Sequence, residues 1–512
     1  MSTKLFFLLL FLHITAWLAL KPVWPFSDDY WYAFHAHNFS EGSVNLTYNQ
    51  FQNRFGVYFP TSLLVYFFKT NPYTLALWPL IASCLTISVV FLFLERTTNS
   101  TIALISTFLI AVNTTQITYS IALFPDLIVA LFCITTIFLL NYGRQNQKII
   151  YPVLLNISFL LGFFTKETIV LIVPFILLVL FYDLSKKQNS LFWKRTISLG
   201  LCSALLHFLI YFSLTGDAFF RFRSLLDFNN KFMSSEVSAY IKSSYSSNIF
   251  TWLNGELGYF FILIFALFTF FKAKERPKND LYFFITIYTF VLLAEFIIMF
   301  HTEKYGMLFS VDRLWIITIA PLSILSAFHI TKGKNEFYFY LMLVFFILCL
   351  YNFYATSFNR SVLFGSFLLA SQLSFYLKQK NKNWRYLLLV PFLILATHFI
   401  YNNTNYRFAT LSSGNIIKEQ LDEINISSNS EKKIIYTDKD LAENHIVYND
   451  FKEYPNLLFQ PFDKYDSLEQ ATDLYVIVNT EEVKIPDFIL NSSKKWEKKY
   501  DAGKLLIYKK SE

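Results

Sequence analysis

Apolar runs of roughly 17–22 residues recur along this chain, and each is long enough to cross a bilayer as a helix. About thirteen such runs can be read, near 5–20, 73–94, 101–118, 126–142, 149–164, 168–182, 196–213, 248–271, 281–300, 314–330, 337–354, 361–377 and 386–401. A chain built this way has to satisfy its backbone polar groups within each span, which restricts it to an all-α, polytopic membrane fold. The wider composition agrees: 54% of the 512 residues are hydrophobic and 16% are charged, with 60 Phe and 32 Tyr. A soluble enzyme is excluded.

The formal net charge of +8 forms no patch, so no nucleic-acid partner is expected. Its carriers lie in short clusters between apolar runs, which is a topology signal. One set of loops is short and basic: Arg96; Arg144 and Lys148; Lys186, Lys187, Lys194 and Arg195; Lys272, Lys274, Arg276 and Lys278; Lys332 and Lys334; Lys378, Lys380, Lys382 and Arg385. These read as cytoplasmic. The alternate loops, 21–72, 114–125, around 165–167, 214–247, 301–313 and 355–360, are mixed in charge and read as outer. Lys4 places the N-terminus inside, and an odd number of spans places the C-terminus outside. No small-residue cleavage site follows the first run, which therefore reads as an uncleaved span. The surroundings expected are a bacterial inner membrane and its lipids. Cys84, Cys133, Cys202 and Cys349 all lie in apolar runs, so neither a disulfide nor a zinc site is expected.

Two domains follow: a transmembrane part, 1–401, and an outer domain, 402–512. The tail is rich in Lys, Glu, Asp, Asn and Ser, with a helical stretch at Asn415–Ile424. Short β-type runs follow at Lys433–Asp438, His445–Asn449, Asp473–Asn479 and Lys504–Lys510, and the end reads as strand, turn, strand. A small α/β domain is predicted there, and it carries no motif that assigns chemistry.

Polar residues that could carry chemistry gather on the outer side. Asp28 and Asp29 follow the first span directly, in Pro25-Phe26-Ser27-Asp28-Asp29-Tyr30-Trp31-Tyr32-Ala33. Read locally, the pair either marks the water-side boundary within an aromatic belt or forms a site. Beyond it, Tyr30–Asn38 and the run after Pro60 have the spacing of interfacial helices, with Arg54 and Tyr58 between them. Asp126 opens a span after Pro125, where the helix dipole favours an acid. Lys166 and Glu167 are wedged between two spans, where a Lys faces a cavity or a partner. Arg313 heads a later span containing Pro321. Glu295, His207 and His398, inside spans, read as satisfied interior polar residues.

These motifs, in this order, resemble the GT-C glycosyltransferases that use polyprenyl-phosphate sugars, including the protein O-mannosyltransferases and the lipid A aminoarabinose transferases. Ser27–Ala33 is similar to their Asp-Glu motif, with Asp29 in place of Glu. Pro125-Asp126 matches their second acidic position, Leu161–Lys166 resembles their Gly-Phe-Leu-Thr-Lys segment, and Asp312-Arg313-Leu314 with Pro321 resembles their Arg-Tyr…Pro pattern. The Lys-Pro-Pro of the aminoarabinose enzymes is here Tyr58-Phe59-Pro60, with Arg54 or Lys69 as substitute cations.

The resemblance implies transfer of a sugar from a polyprenyl-phosphate donor to an acceptor hydroxyl on a lipid, glycan or protein, with inversion at the anomeric carbon. Asp28 is then the general base, and Asp29 orients the acceptor or holds a divalent cation. Asp126, Glu167 and Tyr58 are expected to contact substrate, and Lys166, Arg313 and Arg54 to face the leaving phosphate. Rival classes are a lipid-linked sugar flippase, a scaffold or sensor working through the tail, and an oligosaccharide ligase or polymerase. No internal repeat favours a transporter, and no long late outer loop favours a ligase.

Overall fold

The computed structural model describes residues 2–42 except 23, 26 and 27, then 53–233, 280–301, 315–332 and 413–426. It also describes isolated positions between 393 and 400 and most of the elements between 433 and 510. The runs expected at 248–271, 337–354 and 361–377, nearly all of 386–401, and the strand expected at His445–Asn449 lie outside the described residues, as do Arg313, Glu303, Lys304 and His398.

The described chain is mostly helical. Among the described residues, five helices are long and apolar enough to cross a membrane. They are α1 (Ser2–Leu20), α4 (Pro72–Thr97), α7 (Pro125–Asn146), the joined stretch ending in α9 (Val173–Ser185), and α10 (Ser190–Thr215). Further apolar helices lie between and after them: α3 (Phe55–Phe68), α5 (Ser100–Ala111), α8 (Ile150–Thr165), α12 (Asp280–His301) and α13 (Ile316–Lys332). Two further helices, α2 (Asp29–Ser40) and α11 (Phe220–Met233), complete the part that shapes the site.

Local sequence explains most of the boundaries. Asn71 and Asn99 cap α4 and α5, accepting from the amides of Thr74 and Ile102 at 2.9 Å. The run expected as one span at 101–118 is two helices. Asn113 accepts from Gln116 N at 3.0 Å and starts α6 (Thr114–Thr118). The run at 168–182 opens as a 3₁₀ turn, Glu167–Ile172, because Pro174 cannot donate back into the turn before it. In the first loop the second helix begins before Pro60, not after it. Pro60 leaves the Gly56 carbonyl without its helical donor, and the Trp78 indole N–H supplies one at 3.0 Å.

The core lies around α7, whose buried side chains pack with those of α4, α5, α8, α12 and α13. The helices α1 and α10 lie at the edge, with Phe7, Phe11, Leu201, Leu205 and Phe212 exposed, the surface expected of helices that face lipid. Polar links replace hydrophobic drive between such helices. His13 contacts the Ala111 carbonyl at 2.9 Å and Ser83 Oγ at 2.8 Å, and Gln116 donates to Ser83 at 2.9 Å. At the opposite end of the bundle from Asp28, Arg144 grips Asp183 through two nitrogens, at 2.7 and 2.5 Å, and Trp193 Nε1 donates to Asp183 at 2.7 Å.

Towards the C-terminus, α14 (Ser413–Ile426) precedes a five-stranded sheet. Its strands are β1 (Lys433–Thr437), β2 (Leu457–Pro461), β3 (Leu474–Asn479), β4 (Trp496–Asp501) and β5 (Leu505–Lys510), in the order β2-β1-β3-β5-β4. β1 runs parallel to β2 and β3, and β5 is antiparallel to β3 and β4. The strand β2 has no counterpart in the sequence reading; it pairs in register with β1 as far as its last residue, Pro461. Alternation divides the sheet's faces. Ile434, Tyr436, Val476 and Tyr508 pack with Phe462, Tyr465 and Phe488, and Ile435, Ile477 and Ile507 pack with α14.

Candidate active site

The site lies where α2, α3, α7, α8, α10 and α11 bring charged residues to one end of the bundle. Asp28 holds the N-cap position of α2, but its carboxylate does not cap the helix. Asp29, in the first turn, is buried, where the helix dipole favours a negative charge.

Close packing aims the next residues. Gly56, in the first turn of α3, lies against the C-terminal end of α8. A Cβ there would fall 2.2 Å from Thr165 Oγ1 and 2.8 Å from Thr165 N. The segment after Thr165 therefore crosses directly over the start of α3, with Lys166 extended at φ −162°. Lys166 and Glu167 point to different partners and not to each other. Lys166 Nζ donates to Asp126 Oδ1 at 2.5 Å, with the Asp126 side chain 2% exposed. Glu167 lies between two guanidiniums, Arg54 Nη2 at 3.2 Å from Oε2 and Arg221 Nη2 at 3.0 Å from Oε1. Arg54 also donates to the Tyr32 hydroxyl. Burial opposes the charge on Arg54, but Tyr32, Glu167 and Asp28 outweigh it and hold its pKa above the ordinary arginine value. Asp28, Arg54, Glu167 and Arg221 thus form one electrostatic unit, joined through the chain at 166–167 to the Lys166–Asp126 pair.

Arg221 is absent from the sequence reading. Its side chain is fully buried; Nη2 donates to the Phe163 carbonyl and to Glu167, and Nε and Nη1 make no hydrogen bond. Its neighbour Arg223 is 61% exposed and pairs with Asp217 at 3.1 Å. Within Phe219-Phe220-Arg221-Phe222-Arg223 nothing but packing distinguishes the two. Tyr211 Oη donates to the Asn53 carbonyl at 3.0 Å, and Asn53 Nδ2 to Ser224 Oγ at 3.0 Å, which ties α11 to the segment before Arg54.

An aromatic wall closes the same side. Tyr58 is buried against Phe55, His35 and Phe39, and burial pushes its phenol well above the ordinary range. His35 is held neutral, its pKa lowered by burial to about 4. The expectation of a satisfied His207 is corrected. Both of its ring nitrogens are buried without a hydrogen bond, because aromatic rings surround it: Phe163, Phe164 and Tyr211 at 5.2, 5.3 and 4.8 Å. Glu295 Oε2 is likewise buried without a partner. Lys69 ends α3, away from the cluster at that helix's start.

Among the described residues no three His, Cys, Asp or Glu side chains come together to hold a metal ion. A cation at Asp28 and Asp29 would also have Arg54 as a neighbour, an unfavourable arrangement for a second positive charge.

Residues 55–212 match the family model described as dolichyl-phosphate-mannose-protein mannosyltransferase. No curated protein matches the chain. Among solved structures, ArnT from Cupriavidus metallidurans bound to undecaprenyl phosphate superposes with a TM-score of 0.64 at 13% identity, over 99% of this chain and 98% of that one. The oligosaccharyltransferase of Archaeoglobus fulgidus in the apo form gives a TM-score of 0.50 at 14% identity, over 90% of this chain and 64% of that one. The first-loop motif, the family match and these folds agree: the chain has the GT-C fold and resembles the GT-C glycosyltransferases.

Proposed function

We propose that this protein is an integral membrane glycosyltransferase that moves a sugar from a polyprenyl-phosphate donor to an acceptor hydroxyl at the outer face of the membrane. The observation that carries this reading is the gathering of four carboxylates, Asp28, Asp29, Asp126 and Glu167, with three buried cations, Arg54, Lys166 and Arg221, at one end of an apolar bundle. Buried charges are costly unless a partner holds them, so such a group points to a charged substrate. A lipid-linked phosphate would meet it at the level of the bilayer surface, as its tail stays in hydrocarbon.

In this mechanism Asp28 takes the proton of the acceptor hydroxyl as that oxygen attacks the anomeric carbon. Such a base contributes typically ~10²–10⁴-fold. The bond from that carbon to the phosphate oxygen breaks with inversion, and the phosphate leaves with the electron pair. Asp29 orients the acceptor, and Tyr58 lines the wall beside it. Arg54 and Arg221, both held by Glu167, supply the cations that face the phosphodiester of the donor. Fixed donors of this kind stabilise the charge that grows on the leaving group. Glu167 thus acts by holding two arginines in place, and Asp126 by holding Lys166 at the edge of the same site. Arg313, outside the described residues, is assigned to the phosphate on its motif alone.

The bacterial inner membrane and the envelope acceptor are parts of this proposal, as is the outward-facing site, which the distribution of basic residues supports. Mass spectrometry of envelope glycans and glycoproteins tests it in cells lacking the gene. Loss of one sugar, with its polyprenyl-phosphate form accumulating, is expected. An unchanged profile would leave the fold without this activity.

A further inference from the structure

The segment after α1 that leads into Asp28 is gripped from the C-terminal side of the molecule. Trp24, four residues before Asp28, is buried, and Lys418 Nζ of α14 lies 5.5 Å from its ring centroid. Lys418 is steadied one turn further along by Asp422, at 3.2 Å. The buried face of α14, Ile417, Leu421 and Ile424, belongs to the same continuous apolar cluster as Trp24, Tyr30, Tyr32, Ala33 and Val57. At the other end of the helix, Lys433 Nζ of β1 donates to the Ile424 carbonyl at 3.1 Å, where a cation also suits the helix dipole. A continuous path therefore runs from the sheet through α14 and Trp24 to α2. On α2, Tyr32 receives the hydrogen bond of Arg54.

We propose that α14 is a positioning element for the first loop, with Lys418 on Trp24 as its main grip, so that the C-terminal sheet sets where Asp28 and Asp29 stand. This assigns a task to a part of the chain whose sequence shows no motif for chemistry. The stretch before α2 contains Lys21 at φ +58°, a conformation unfavourable for a non-glycine residue, and α14 contacts that stretch at Trp24. Calling the result catalytic rests on the proposed transferase reading; the positioning itself does not.

The test is hydrogen–deuterium exchange of the full-length protein in lipid nanodiscs, comparing wild type, Lys418→Met and Lys418→Arg. Lys418 is partly exposed, so methionine keeps the stem's packing while removing the cation. Amides of residues 28–34 are expected to exchange about tenfold faster in Lys418→Met, and at the wild-type rate in Lys418→Arg. Those of α7 and of the sheet should not change in either. In the envelope assay, transfer should fall in Lys418→Met and recover in Lys418→Arg. Unchanged exchange at 28–34 in Lys418→Met would overturn the inference whatever happens to transfer. Faster exchange, with no transfer detectable even in wild type, would support positioning and sink the transferase reading instead.

Discussion

Lys166 and Asp126, forty positions apart in the chain, meet at 2.5 Å inside the bundle, one at the end of α8 and the other in the first turn of α7. Each is the other's compensation for burial, and the pair links two helices that are also joined through Thr136 and Ser158, whose hydroxyls hydrogen-bond at 3.0 Å. Removing one member of such a pair strands a charge in a low-dielectric site, at a cost of about 3–5 kcal/mol. Lys166→Met should therefore lower thermal stability in detergent sharply. The double variant Lys166→Met/Asp126→Leu should recover most of the stability and none of the transfer. Recovery of both would show the pair to be a structural link alone.

Arg221→Ala separates the phosphate contact from the architecture. Glu167 keeps Arg54 in this variant, so no carboxylate is stranded, and the fold should survive. Transfer should fall by about 10²–10³, the scale for losing one fixed donor at a developing charge. Size-exclusion profile and transfer rate check the two halves of this expectation. A rate within twofold of wild type would remove Arg221 from the site.

Gly56→Ala tests the close approach that aims Lys166. The added methyl meets the backbone of Thr165 as well as its hydroxyl, so α3 and α8 have to separate, at a cost of about 1–3 kcal/mol. Thr165→Ala removes the hydroxyl and the γ-methyl but leaves the backbone in place, and should not restore the lost activity. Full rescue by that second change would mean that the clash is with the side chain alone.

His35 gives a pH signature outside the bundle. Burial lowers its folded-state pKa to about 4, whereas the unfolded chain titrates near the ordinary value of about 6.5. Its contribution is complete above the upper value and is lost as pH falls towards the lower one, since the unfolded state takes up the proton first. His35→Phe should flatten that part of the stability profile between these two values. Thermal unfolding at a series of pH values checks it, and an unaltered acid limb would refute the assignment.

Much of the site was legible because local chemistry marks it. Pro125 sets the helix start that presents Asp126, and the two adjacent carboxylates follow directly on the first apolar helix. The interfacial helices of the first loop were visible in their spacing, but Pro60 misplaced the start of the second, because Trp78 repairs the bond that proline breaks. Arg221 was invisible for a different reason. It and Arg223 are two residues apart on a helix that reads as loop, and what makes one of them part of the site is Glu167, fifty-four positions away. Glu167 was legible as a charge but not as a bridge, since both its partners are long-range. In the tail, β1, β3 and the final hairpin were legible as short runs of β-type residues, whereas β2 ends on a proline.

The most direct test of the central claim is the Asp28→Asn variant expressed in cells lacking the gene, with envelope glycans and glycoproteins read by mass spectrometry. The account predicts a protein that is inserted and stable, a glycan profile lacking one sugar as in the deletion, and accumulation of the corresponding polyprenyl-phosphate sugar. Restoration of the wild-type profile by Asp28→Asn would contradict it.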